Sequence, residues 1–189
     1  MYNNKKFTIH KFVSHSINKS MKSYSDYIVN LTKLKKNCLN IKKDLDSDTK
    51  FCAIVKADAY GIGSEAVCKA LYGCVDFFGV ATLDEALEIR NFDKVTSILI
   101  LGIVPREYID VCAENNISIS VTSISQLEEI KSSNKKIRLH IQINTGLNRY
   151  GIRSIVEFKK ILKLIDGHPN LQLEGLYSHF ATKKRIDYL

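Results

Sequence analysis

No apolar stretch of this sequence approaches the ~20 residues needed to cross a bilayer. The longest runs, such as residues 97–104, have the length of buried strands, so no membrane partner is expected. The five cysteines (Cys38, Cys52, Cys68, Cys74 and Cys112) form no CxxC pair and are odd in number. A disulfide framework and a zinc site are both disfavoured, and a reducing cytoplasm fits. The first 26 residues lack the continuous apolar stretch of a secretory signal, and they lack the arginines that organelle transit peptides favour. Met21 offers an internal start, so residues 1–26 are expected to form a disordered or non-native leader, and 27–189 the folded part. Missing as well is a G-x-G-x-x-G after the first strong strand, which weakens a dinucleotide-binding reading.

The charge balance is basic, with 28 Lys and Arg against 20 Asp and Glu and a formal net charge of +8. The lysines do not gather on one face with interleaved aromatics. They fall in the leader and at helical surface positions such as Lys33, Lys35, Lys36, Lys42 and Lys43. A solvated helix face explains them, and no nucleic-acid partner is expected. Hydrophobic residues at 45% and charged residues at 25% are ordinary for a soluble globular chain.

From residue 27 onward, short apolar runs alternate with helical patterns. Strands are predicted at 27–31, 51–56, 76–81, 97–101, 117–121, 137–143 and 171–178, and helices at 33–45, 64–71, 83–90, 106–113, 126–131 and 155–164. Three helix starts carry the S/T-x-x-E/Q capping box: Thr82 with Glu85, Ser123 with Gln126, and Ser154 with Glu157. Several strands lack inside–outside alternation, as parallel strands buried on both faces do. Strand–helix alternation of this kind means a parallel α/β fold, either an open doubly wound sheet or a closed barrel. Six strand–helix units begin between Phe51 and Thr182, whereas a (β/α)8 barrel needs eight.

In such barrels reactive residues gather at the C-terminal ends of strands. Lys56 ends the apolar run 51–55, a place from which a lysine amine can serve Schiff-base chemistry. From position alone, an ordinary strand-end lysine pointing into water is the better reading.

The string around it decides further. Residues 53–63, AIVKADAYGIG, closely resemble the cofactor-lysine signature of the alanine racemase family. Residues 139–151, LHIQINTGLNRYG, resemble its strand-five segment, and residues 174–182, EGLYSHFAT, the segment after it. The resemblance covers roughly residues 27–189. It implies a TIM-barrel domain binding pyridoxal 5'-phosphate, with an internal aldimine on Lys56 and Tyr60 against the cofactor phosphate. It further implies Arg149 near the substrate carboxylate, His179 beside the pyridine ring, and a supporting place for His140. Where the family often has a lysine, carbamylated in some members, this chain has Gln142, which cannot be carbamylated but can orient Arg149 through its amide oxygen. An aspartate common in the family is replaced by Asn144.

The activity implied is interconversion of L- and D-alanine, or a broader action that includes serine, supplying D-alanine for peptidoglycan from a cytoplasmic homodimer. The family's opposite-face tyrosine and its C-terminal β-domain are expected beyond Leu189. Two other readings stay open: a pyridoxal-phosphate-binding homeostasis protein, and an inactive racemase fragment. The KADAYGIG and T-G-x-x-R-x-G strings are closer to the racemase pattern.

Overall fold

The computed structural model describes residues 6–9 and 27–182. Of the leader expected over 1–26, only β1 (Lys6–Ile9) is described, paired antiparallel with β2 (Tyr27–Asn30). The rest of that leader lies outside the described residues. α1 (Leu31–Lys43) follows at once, with Asn30 Oδ1 accepting from Lys33 N at 3.0 Å as its N-cap.

Six parallel strands then form one sheet in chain order: β3 (Cys52–Ile54), β4 (Phe77–Val80), β5 (Ser97–Ile100), β6 (Ile117–Val121), β7 (Ile137–Ile143) and β8 (Leu171–Ser178). The crossovers are α2 (Lys56–Gly61) with α3 (Ser64–Leu71), α4 (Leu83–Phe92), a 3-10 turn at Arg106–Tyr108 leading into α5 (Ile109–Glu114), α6 (Ile124–Ile130) and α7 (Ile155–Asp166). This is a partial TIM barrel with six of the eight units, and no helix among the described residues is long and apolar enough to cross a membrane. All three capping boxes form: Thr82, Ser123 and Ser154 accept from Glu85 N, Gln126 N and Glu157 N at 3.3, 3.2 and 3.1 Å.

The two faces of the sheet differ in chemistry. Ile117, Ile119 and Val121 of β6 and Ile137, Leu139 and Ile141 of β7 belong to the apolar core that packs beneath the helices. The residues between them face the barrel interior and are polar. Ser118 Oγ donates to Glu174 Oε2 at 2.7 Å, and Ser120 Oγ lies 2.7 Å from Tyr177 Oη. Both bonds reach from β6 to β8 past the intervening strand, the layering by alternate strands that fills TIM-barrel interiors. Burial fades toward β8, where Gln172, Leu173, Glu174, Leu176 and Ser178 are exposed, while every residue of β6 is buried.

Outside the sheet, Arg90 holds the second and third crossovers together. Its buried guanidinium donates to the carbonyls of Asp93, Thr96, Asn115 and Asn116 at 2.8–3.0 Å.

Candidate active site

At the C-terminal rim of the strands, a cavity of about 290 Å³ is lined by Lys56, Tyr60, Gln142, Arg149 and His179. Five of the six residues singled out in the sequence therefore share one space, though they span 124 positions of the chain from Lys56 to His179. Ile54, Ala81, Leu101, Gly102, Tyr150, Tyr177 and Ser178 complete the wall. Tyr60, Arg149 and His179 are exposed at its mouth, whereas Gln142 is only 3% exposed at its floor.

Lys56 arrives there by an unusual backbone. The β3 ladder ends as Val55 N donates to Gly79 O at 2.8 Å. The chain then winds left-handed: φ is +53°, +53°, +51° and +58° at Ala57, Asp58, Ala59 and Tyr60, and +82° at Gly61. Ala59 N closes the turn on Val55 O at 2.8 Å, and Gly63 N on Asp58 O at 2.9 Å. Asp58 Oδ1 accepts from Ser64 N at 2.7 Å, tying the turn to the start of α3. Left-handed winding costs L-residues roughly 1–2 kcal/mol each, so the four non-glycine residues store several kcal/mol. Strain of this kind persists only where surrounding contacts over-determine it. The strand expected to run to Lys56 thus stops at Ile54, and the lysine begins a left-handed turn.

Arg149 sits on a loop shaped by Asn144. Asn144 Oδ1 accepts from Gly146 N at 3.0 Å and from Asn148 N at 3.2 Å, and Nδ2 reaches Asn148 Oδ1 at 3.2 Å. The loop returns through Gly151, at φ +110°, where a Cβ would stand 3.0 Å from Gln142 O. Ile152 N donates to Gln142 O at 2.8 Å and Asn144 N to Ile152 O at 2.9 Å, pinning the exit to β7. Arg149 Cζ lies 4.9 Å from the centroid of the Tyr150 ring, a cation–π stack that steadies the guanidinium.

The Gln142 amide oxygen, expected from the sequence to orient Arg149, accepts instead from Tyr177 Oη at 3.0 Å. Burial pushes the Tyr177 phenol up to about 12, against the lowering effect of its bond with Ser120, so it stays a neutral donor. Ser178 Oγ donates to Ile143 O at 2.9 Å and meets Thr145 Oγ1, fixing the strand end that leads into His179. His140 is not part of the cavity lining. It lies one layer deeper, edge-on to Phe77 with centroids 5.7 Å apart, and its Nε2 is 3.4 Å from Glu174 Oε2.

The lining carries three basic side chains, Lys56, Arg149 and His179, and no carboxylate. That donor set suits an anionic ligand with an aldehyde for the amine, so pyridoxal phosphate fits the residues present. Seven wall residues are not among the sequence candidates: Ile54, Ala81, Leu101, Tyr150, Tyr177, Ser178 and Gly102, whose Cβ would lie 2.3 Å from Ala81 O. Ile54, Tyr150, Tyr177 and Ser178 lie within the family-like strings 53–63, 139–151 and 174–182, which is a signal for them; Ala81, Leu101 and Gly102 lie outside those strings.

A family profile described as "Alanine racemase, N-terminal domain" matches residues 29–188. Alanine racemase 1 of Bacillus subtilis is 34% identical over 157 residues, which are 82% of this chain and 40% of that protein. The alanine racemase of Staphylococcus saprophyticus is 40% identical over 134 residues, 68% of this chain and 35% of the relative. Among solved structures, alanine racemase from E. faecalis superposes with a TM-score of 0.76 at 30% identity, covering 80% of this chain and 43% of that one. The Bacillus anthracis enzyme with bound L-Ala-P gives a TM-score of 0.73 at 36% identity, covering 80% and 40%. The chain spans about two fifths of the length of these relatives. With a matching profile along most of its length, close relatives of one name and a shared partial barrel, the chain belongs to the alanine racemase family.

Proposed function

We propose that this chain carries the cofactor-lysine half of a pyridoxal-phosphate-dependent alanine racemase, with Lys56 as the residue that binds the cofactor. The observation that carries this is the single cavity in which Lys56, Tyr60, Arg149 and His179 meet without any carboxylate in the wall. Pyridoxal phosphate, when bound, supplies an electron sink that acidifies the Cα proton of an amino acid.

The residues divide the remaining work. Lys56 Nζ would be the nucleophile for the cofactor aldehyde, and would take or return the proton on one face of Cα. Tyr60 Oη would donate to the phosphate. Arg149 would bind the substrate carboxylate, for which a guanidinium fork is suited, and His179 would lie beside the ring. Gln142 and Tyr177 form a neutral, hydrogen-bonded floor beneath them.

Inversion at Cα needs a second group on the opposite face, since exchange on one face returns the starting enantiomer. In this reading that group comes from the remainder of a full-length, cytoplasmic homodimer, whose product is D-alanine for peptidoglycan.

The first test is chemical. Incubation with pyridoxal phosphate followed by borohydride should fix the cofactor on the peptide containing Lys56, and Lys56→Ala should abolish that label. Labelling of another lysine with Lys56 unmodified defeats the assignment.

A further inference from the structure

We propose that Glu85 is a positioning residue for Lys56, an inference that rests on the reading of Lys56 as the cofactor lysine. The Glu85 carboxylate spans two strand ends. Its Oε1 accepts from Ala57 N at 2.7 Å, and its Oε2 accepts from Ala81 N at 2.7 Å. Ala57 is the residue directly after Lys56 and the first with positive φ; Ala81 directly follows β4 and lines the cavity.

Comparison within the molecule shows what is special about this glutamate. In each of the three capping boxes, the side chain of the third helical residue turns back to the residue before the cap. Gln126 Oε1 accepts from Thr122 N at 2.8 Å, Glu157 Oε2 from Arg153 N at 3.5 Å, and Glu85 Oε2 from Ala81 N. Capping α4 thus requires one oxygen of Glu85. The other oxygen is aimed across the sheet, 28 residues back in sequence, at the backbone of the left-handed turn.

The turn needs such a partner. Ala57 N–H stands at the start of α2, where a helical N–H has no carbonyl within its own helix to bind. A carboxylate at 2.7 Å makes a charge-assisted bond, stronger than a neutral one. The bond locks the peptide that follows Lys56 to the end of β4. The left-handed winding that presents Lys56 and Tyr60 on the same cavity is therefore held from outside the turn as well as by its own closures. Without it, the four strained non-glycine residues have one fewer contact opposing relaxation.

The experiment compares the 189-residue chain with Glu85→Gln, Glu85→Ala and Thr82→Ala variants. Glu85→Gln keeps the shape but places an NH2 group against one of the two N–H donors. Thr82→Ala weakens the α4 cap while leaving the carboxylate bridge in place, and so reports what a purely structural loss does. Two signals are read: hydrogen exchange over the peptide 57–63 without cofactor, and the yield and rate of borohydride-fixed pyridoxal phosphate on Lys56. Glu85→Gln and Glu85→Ala should speed exchange at 57–63 at least about tenfold, with slower and smaller labelling of Lys56. Thr82→Ala should change neither signal selectively. Wild-type exchange and labelling in both Glu85 variants overturns the inference, as does an equal effect of Thr82→Ala. If Lys56 of the unaltered chain never labels, the cofactor reading has failed, and the exchange comparison still decides whether Glu85 holds the turn.

Discussion

His140 shows how one residue can sit near a site in sequence yet serve the layer below it. It shares the inward face of β7 with Gln142, but Gly175 leaves it the room to turn down toward Glu174; a Cβ on Gly175 would lie 2.9 Å from His140 Nδ1. Burial is the largest influence on its imidazole and drives the pKa below the ordinary 6.5; Glu174 opposes this, while Arg138 and Lys50 add to it. The folded state therefore prefers neutral His140, whereas the unfolded chain takes up a proton near pH 6.5. Between that pH and the lower folded value the unfolded state binds more protons, so this contribution to stability is present above 6.5 and is lost as pH falls. Urea unfolding measured from pH 8 to pH 5 should show stability declining below about 6.5, with a shallower decline in His140→Gln. An identical acid limb in the variant would place the titration elsewhere.

Among the elements, α2 stands apart because its backbone reverses the usual ranking of alanine and glycine. In right-handed α3, Ala66→Gly should cost roughly 0.5–1 kcal/mol. At Ala57, φ is +53°, so glycine removes a steric penalty of roughly 1–2 kcal/mol while loosening the unfolded chain by about 0.4–1 kcal/mol. Ala57→Gly should then be neutral or stabilising, and denaturant midpoints of the two variants should move in opposite directions or one not at all. Equal losses would mean that the turn is not left-handed in solution.

This same element marks where the sequence stopped being readable. The other helices and the parallel strands follow from apolar periodicity and from three capping boxes, and β6, α3, β7 and β8 match the expected spans. The string ADAYG carries no periodic sign of left-handed winding, because its conformation is enforced by Glu85, Asp58 and the ends of the neighbouring strands. The inward direction of Tyr177 was hidden for a related reason. Strict alternation would put it on the face of Leu171 and Leu173, but the register shift opposite Leu139/His140 pairs Gly175 with His140 and Tyr177 with Gln142, turning it to the interior. Lys56, Tyr60, Arg149 and His179 were legible through the family's strings; their meeting in one cavity follows from the parallel order of the strands, which places every such string at the same rim.

For the whole molecule, the distribution of burial sets what the chain can do by itself. β3 and β8 each have one neighbour in the six-stranded sheet, and Ile54 next to the cavity and Leu176 and Phe180 near it are exposed. Unpaired strand edges of this kind favour pairing with further strands, in the same enzyme or in another copy. The cavity is likewise open on the side of Tyr60, Arg149 and His179, so solvent reaches the groups that a racemase has to keep from water. In the proposed reading Lys56 serves one face of Cα, and loss of an acid–base partner typically costs about 10²–10⁴-fold in rate. The 189-residue chain should therefore bind pyridoxal phosphate on Lys56 yet convert L-alanine to D-alanine at least about a hundredfold more slowly than a chain extended with the remaining portion of a racemase relative. The same comparison in deuterium oxide separates two failures. Deuterium entering Cα of one enantiomer, L- or D-alanine, without inversion shows that Lys56 works on its own face and the opposite group is what is lacking. A fragment that racemises as fast as the extended chain would show that both proton transfers are served from within residues 1–189, and Tyr150 and Tyr177 in the cavity wall would then be the first side chains to replace.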